Sequence, residues 1–287
     1  EERRYGARRR PMRRVTFLFA HPDDESMGCG SLIAKLAAEG VEVSLVCATD
    51  GQIGWQGKPE EKPAPDDLGL LRAGELDRAA EILEIRTVER YGYLDGSLDR
   101  VPASEFLPRL ATSLRRLRPD VVVTFGPEGA YGHPDQVAIG QASHPAILLA
   151  AASPGAHPLA EAAEGEPHIV SKLYYRISTV DAMNAFVDWW GRKERTYDGQ
   201  TRRNFGYDDW VITTRIDTSD FIDQMWRAMD AHRSQMPGQR PLGVTPPPSL
   251  SGFLGETTLY RAYSVLTVSR EPETDLFAGL RVPAART

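Results

Sequence analysis

Val15-Thr16-Phe17-Leu18-Phe19-Ala20-His21-Pro22-Asp23-Asp24-Glu25 is the stretch on which the fold turns. Its first six residues make a short, largely apolar run of the kind that is buried in a parallel sheet. The five that follow are polar or turn-forming and are not core. They fall where a strand ends and its helix begins, the edge at which open α/β sheets place their ligands. Outward from there, strand and helix alternate. A helix is expected over 26–39, a strand over 41–48, a helix over 68–83 and a strand over 87–91. A helix over 104–117 leads into the apolar run 121–125, and a last helix covers 135–151, with Pro145 as a possible kink. Such a βαβα series predicts an α/β fold: a Rossmann-like, doubly wound, mainly parallel sheet with right-handed crossovers.

Beyond residue 151 the pattern is less regular. An Ala/Pro/Glu-rich stretch over 151–167 reads as an exposed loop. Strand-like 169–177, helix-like 180–190, a polar segment to Asp209, a strand over 210–216 and a helix over 220–235 follow. Pro237, Pro241 and Pro246 to Pro248 then interrupt regular structure up to Phe253. With no internal repeat, 12–287 is expected to be a single domain: a Rossmann-like core over 12–150 and an elaboration over 151–287 that walls a substrate site. The arginine-rich residues 1–11 read as a disordered basic extension or expression remnant.

Composition narrows the function classes. Of 287 residues, 41% are hydrophobic and 26% charged, as in ordinary globular proteins. The net charge of −6 gives no general field for nucleic acid. No run reaches the ~18–20 apolar residues that cross a bilayer, and no apolar signal core opens the chain. The cytoplasm is the expected compartment, with neither nucleic acid nor membrane as partner and a homo-oligomer left open. The two cysteines, Cys29 and Cys47, read as buried small hydrophobes in a reducing compartment.

The chemistry resides in two segments. His21 and Asp24 stand three apart across the first strand-to-helix turn, so both can face one point while Asp23 projects beside them. An imidazole and a carboxylate are zinc ligands, and a free carboxylate nearby can take a proton from water. The bland alternative is a helix N-cap with acidic residues favoured by the dipole. Against it stands the echo Tyr131-Gly132-His133-Pro134-Asp135-Gln136 after the fourth strand. In strand order 3-2-1-4 the first and fourth strands are neighbours, so the two segments would face each other across one crevice.

At these residues the chain resembles the LmbE-like or PIG-L N-deacetylases, whose signature is Ala-His-Pro-Asp-Asp-Glu plus a later His-Pro-Asp-His. The likeness spans residues 12 to 150, with Gly28-Cys29-Gly30, Thr49-Asp50-Gly51, Arg72 and Glu75 as further landmarks. Ala231-His232-Arg233-Ser234-Gln235 is similar to a C-terminal element of that family. The resemblance implies a Rossmann-like fold and hydrolysis of acetamides on glucosamine-type substrates, with Zn2+ or another divalent metal as cofactor. Among such substrates are intermediates of mycothiol, bacillithiol, glycopeptide antibiotics and glycosylphosphatidylinositol. It also implies roles. His21 and Asp24 would be metal ligands and Asp23 the general base. His133, as imidazolium, would stabilise the oxyanion or protonate the leaving amine, with Asp135 orienting it and Tyr131 touching the same oxyanion. Arg72 and Asp95 would contact substrate hydroxyls, unless Arg72 pairs with Glu75 on its own helix. Trp55, in a Gly/Pro-rich loop, is the candidate pocket wall, and the loop 52–67 a candidate lid.

Gln136 departs from the pattern, because the family's third protein ligand at that spot is histidine. A glutamine carbonyl is neutral and harder than imidazole, which favours oxygen-preferring metals. His144 lies about 12 Å along the helix and cannot replace it, whereas His232 is a candidate to reach the cleft from the C-terminal half or else an ordinary helix histidine. The alternative to a metal-dependent hydrolase is therefore a degenerate, non-catalytic metal- or sugar-binding member of the same fold. Dinucleotide binding is disfavoured: no Gly-x-Gly-x-x-Gly occupies the first turn, and its carboxylates would repel a pyrophosphate.

Overall fold

The computed structural model describes residues 12–153, 155–191, 194–197, 199–236, 242–243, 245–267 and 271–280; the basic extension expected over 1–11 lies outside them. β1 (Arg14–Phe19) is buried on both faces from Val15 onward, which is the burial its unbroken apolar run requires. It pairs in parallel with β2 (Glu42–Thr49) on one side and β4 (Val121–Phe125) on the other, with Phe17 opposite Leu45 and Val123. β3 (Thr87–Tyr93) lies outside β2, and β5 (Lys172–Arg176) joins β4, both in parallel. The expected order 3-2-1-4 therefore holds.

The second half extends the same sheet. β9 (Glu256–Ser264) runs antiparallel to β5, and β8 (Thr214–Asp217) antiparallel to β9, giving seven strands in the order β3-β2-β1-β4-β5-β9-β8. The sequence pattern did not call for β9, because its Thr, Tyr and Arg residues lack the apolar run of the core strands. Nor did it call for the hairpin of β6 (Glu194–Tyr197) and β7 (Gln200–Arg203) inside the segment read as polar. The strand expected over 210–216 is shorter: Asp209–Val211 is a 3-10 turn with Trp210 83% exposed, and only Thr214 onward pairs.

Helices fill both faces. α1 (Asp24–Ala38), α2 (Pro65–Ile82), α3 (Ala103–Leu117), the short α4 (Gly129–Gly132) and α5 (Pro134–Ala151) belong to the first half. α6 (Pro158–Glu161), α7 (Val180–Trp190), α8 (Ile222–Ala231) and α9 (Ser251–Leu254) belong to the second. α3 packs on α5, while α8 packs on α1 and α2. Pro145 sits inside α5 without ending it. A Cβ at Gly140 would lie 2.8 Å from the Gly126 carbonyl and 2.9 Å from that of Phe125, so α5 rests directly on the end of β4. That contact fixes where the helix, and the His133 that precedes it, begins. Among the described residues no helix is long and apolar enough to cross a membrane.

A buried polar knot closes the far side. Lys172, wholly buried, donates to Glu273 Oε1 at 2.8 Å; Tyr174 and Thr214 donate to Oε2 at 2.6 and 3.3 Å. Arg261 Nη1 lies 2.9 Å from the same carboxylate. The backbone of Glu273 bonds that of Thr213 and Arg215, so residue 273 makes a parallel bridge on the outer edge of β8.

Candidate active site

A cavity of about 590 Å³ opens at the carboxyl ends of β1, β4 and β5, lined among others by His21, Asp23, Asp24, His133 and Gln136. The two His-Pro-Asp segments thus meet across one crevice. The His21 and His133 rings lie 4.4 Å apart, edge to face, with Tyr131 5.9 Å beyond His133.

Asp23 occupies the N-cap position of α1, yet its side chain caps nothing. Its backbone sits at φ 127°, a region that a residue bearing a Cβ enters only when its surroundings compel it. The compulsion is visible: Asp23 N donates to Glu25 Oε2 at 3.1 Å, and Asp23 O accepts from Ser26 N and Met27 N. Strain of this sort aims the carboxylate at the cavity, where Arg72 Nη2 donates to it at 3.2 Å. Burial pushes the Asp23 carboxyl up to about 6, with the Arg72 charge opposing and Asp24 adding to the rise.

Asp24 is oriented by its own turn and by Gln136. Its Oδ2 accepts from Ala20 N and His21 N at 3.1 and 2.8 Å, and its Oδ1 accepts from Gln136 Nε2 at 2.8 Å. The Gln136 carbonyl Oε1 is buried and has no hydrogen-bond partner, an unmet acceptor on a residue of the cavity lining. His21 sits among acids: Nδ1 3.5 Å from Asp24, Nε2 3.1 Å from Asp135 and 3.3 Å from Asp95. Burial alone would lower its pKa, but the carboxylates of Asp135, Asp24 and Asp95 outweigh that and hold it well above the usual imidazole range.

This donor set fits a divalent cation. Asp23, Asp24 and Asp95 line the crevice with Asp135 buried behind His21, and Arg72 is the fixed cation paired to Asp23. A proton on His21 answers the remaining charge, and a metal ion would compete with that proton for the same acids. His21, Asp95, His133 and Asp135 can bring one ligand atom each within 4.8 Å of one another. Asp135, however, already accepts from Gly96 N at 2.7 Å and Leu98 N at 2.8 Å, one to each oxygen, which suits it to orienting His21. Burial opposes the ionisation of both Asp135 and Asp95, but the proximity of His21 holds each below the usual carboxylate range.

His133 is a different case. Its Nδ1 accepts from Asp135 N at 3.2 Å, capping α5 and leaving any ring hydrogen on Nε2. Burial first, then the positive charge of His21, lowers it to about 4. The imidazolium expected from the sequence is thereby revised to a neutral imidazole at pH 7 that offers an Nε2–H donor.

Two further expectations are corrected. Arg72 does not pair with Glu75: its guanidinium donates to the carbonyls of Gly51 and Pro22 and to Asp23, whereas Glu75 accepts from Ser234 N and Oγ. His232 does not reach the metal-ligand cluster. Wholly buried, it places Nε2 2.7 Å from Glu25 Oε1, so it holds the carboxylate that in turn holds the Asp23 backbone. That support passed unnoticed in the sequence, although Glu25 and the Ala231-to-Gln235 element were its visible ends. Trp55 lines the cavity with its indole tied to Lys58 O. His144 lies against Tyr263 with the two rings tilted, outside the cavity lining, and Cys29 and Cys47 are buried free thiols.

A mainly parallel α/β sheet with an acid–imidazole cluster at the carboxyl edge of its central strands defines a class of sheet proteins whose chemistry sits at one crevice. Residues 16–147 match the family described as PIG-L: GlcNAc-PI de-N-acetylase. The chain is 31% identical over 314 residues to the 1D-myo-inositol 2-acetamido-2-deoxy-alpha-D-glucopyranoside deacetylase of Thermobispora bispora, covering 93% of this chain and 99% of the relative. It is 32% identical to deacetylase 2 of that name from Catenulispora acidiphila, covering 93% and 97%. The chain therefore belongs to the PIG-L family of de-N-acetylases. In fold it is similar to a conserved protein of Thermus thermophilus, with TM-score 0.59, 25% identity and coverage of 90% and 98%. It is also similar to N,N'-diacetylchitobiose deacetylase from Pyrococcus horikoshii, with TM-score 0.59, 23% identity and coverage of 79% and 72%.

Proposed function

We propose that this chain hydrolyses the acetamide of a small 2-acetamido-sugar glycoside, releasing acetate and the free amine, with zinc as its metal. The observation that carries the reading is Asp23: a carboxylate forced through a strained backbone into the cavity, tuned to about 6, beside donors that fit a cation. A passive helix cap would show neither feature. His21, Asp24 and the Gln136 carbonyl would hold the ion. Bound there, zinc supplies a Lewis acid that polarises the acyl oxygen and brings the pKa of a water toward about 7.

The chain's own groups do the rest. Asp23 removes the proton of the attacking water and returns it to the leaving nitrogen. His133 presents Nε2–H to the acyl oxygen as charge builds there, with Tyr131 beside it as a second donor. Asp135 links the two junctions: its carboxylate orients His21 at 3.1 Å, in place of the His133 that the resemblance implied, and only its backbone N–H reaches His133 Nδ1. Arg72 keeps Asp23 in place, Asp95 and the Arg72 edge meet sugar hydroxyls, and Trp55 walls the sugar. The relatives named above act on an acetamidoglucose linked to inositol, a size the cavity admits.

Acetate release from N-acetylglucosamine glycosides, measured on the chain as purified, after chelation and after adding zinc back, tests this. Activity should vanish on chelation and return with zinc. Undiminished activity in protein verified to be metal-free would overturn the mechanism, and zinc binding without turnover would point to the degenerate alternative.

A further inference from the structure

Arg176, the last residue of β5, reaches the cavity wall with 9% of its surface exposed. Its Nε donates to Gly28 O at 2.6 Å, and its Nη1 donates to Ile177 O at 2.5 Å and Ser178 Oγ at 2.7 Å. All three acceptors are neutral, and none uses Nη2. Among the described residues Arg176 makes no ion pair. The ionisable group that acts on it is the Cys29 thiol, itself pushed up by burial to about 12 and so uncharged. Glu128 and Glu194, which also line the cavity, face Tyr207 and Arg203 instead. A guanidinium buried without a countercharge is costly; the Phe253 ring, 5.5 Å from it, offsets part of that cost, and an anionic ligand would offset the rest.

Two other residues of the same cavity lining offer donors. Ser178, 5% exposed, accepts from Arg176 and so has its own hydroxyl hydrogen to give. Trp190, 9% exposed, has an indole Nε1 that is buried with no partner. We infer that the cavity takes a substrate bearing an anionic group, a carboxylate or a phosphate, next to its acetamido sugar, and that Arg176 receives that group with Ser178, while Trp190 leaves a further donor elsewhere on the same lining. The inference rests on the deacetylase reading and narrows its substrate class. Gly28, which anchors the guanidinium, stands four residues beyond Asp24 on α1, about 6 Å along the axis. The anion therefore belongs on the sugar or on the first atoms of its aglycone. The inositol glycoside of the relatives is, as named, uncharged, so this chain's preference departs from theirs.

Three matched substrates test it: a methyl 2-acetamido-2-deoxyglucoside, its carboxymethyl counterpart and a phosphate-bearing counterpart, each assayed for acetate release with the zinc-loaded chain. The charged substrate that fits is expected to exceed the neutral one in kcat/KM by roughly 10- to 100-fold, the size of a charge-assisted hydrogen bond. Which of the two gains identifies the anion. Arg176→Gln should erase the preference through KM, and Arg176→Lys should keep part of it. Equal kcat/KM for all three substrates in the unaltered chain would overturn the inference, as would a preference that survives Arg176→Gln. The substrate comparison decides even if the variants do not fold. If no substrate releases acetate, the deacetylase reading fails by itself. Calorimetric binding of the same three compounds then decides the anion site, tighter binding of a charged one supporting it and equal binding overturning it.

Discussion

His21-Pro22-Asp23 and His133-Pro134-Asp135 are the same three residues at the same kind of strand-to-helix junction, and the fold gives them opposite properties. At the first, the histidine is held above the usual imidazole range by three acids; at the second, burial and the His21 charge take it down to about 4. The aspartates invert as well. Asp23 lines the cavity on a strained backbone with its carboxyl at about 6, whereas Asp135 is wholly buried, accepts two backbone amides and is held low. A motif thus specifies which groups are present, and their roles come from which backbone amides and charges surround them.

The comparison can be broken at each position. The largest effect is expected at Asp23→Asn: kcat should fall by about 10² to 10⁴ with metal content unchanged. Because the Asp23 carboxyl is raised in the folded state, its stabilising contribution is present at low pH and lost as pH climbs from 3.8 toward about 6. At neutral pH the asparagine variant should therefore be more stable, by at most about 3 kcal/mol, read as a higher Tm. In the unaltered chain kcat/KM should rise with pH and level off above about 6 as Asp23 ionises. Loss of metal from Asp23→Asn would make Asp23 a ligand instead.

His133→Ala comes next, with kcat down by about 10² to 10³ as the oxyanion donor is lost. A profile in which His133 must be protonated near neutrality would restore the imidazolium. Asp135→Asn should cost about 10- to 100-fold in metal affinity or rate, as removal of a ligand-orienting carboxylate does. A loss as deep as that at Asp23 with metal retained would erase the contrast between the junctions. The smallest effect is at Gln136: Gln136→His should tighten zinc by roughly tenfold, imidazole being the better donor. An unchanged zinc dissociation constant in both Gln136→His and Gln136→Ala would remove Gln136 from the ligand set.

Much of this was legible in the sequence. The buried runs of β1, β2 and β4 carry their parallel pairing in unbroken apolar composition, and the two polar junctions follow from where those runs stop. β9 and the β6–β7 hairpin were not legible, because antiparallel strands with one wet face mix Thr, Arg and Tyr in patterns that a polar loop shares. Within the site, residue types were readable but protonation was not. The neutral state of His133 depends on burial and on a histidine 112 positions away that sequence spacing cannot place. Arg176 was passed over as one polar residue in a strand. What marks it out is that, among the described residues, no acid forms an ion pair with its buried guanidinium.

The Glu273 knot has a consequence of another kind. A terminal strand of an open sheet offers unpaired amides and carbonyls to any other chain that meets it, and β8 holds that position here. Residue 273 occupies part of that outer ladder, and its buried carboxylate, fastened by Lys172, Tyr174 and Thr214, keeps it from peeling away. Residue 273 and its buried carboxylate thus act as a seal against edge-to-edge association along β8.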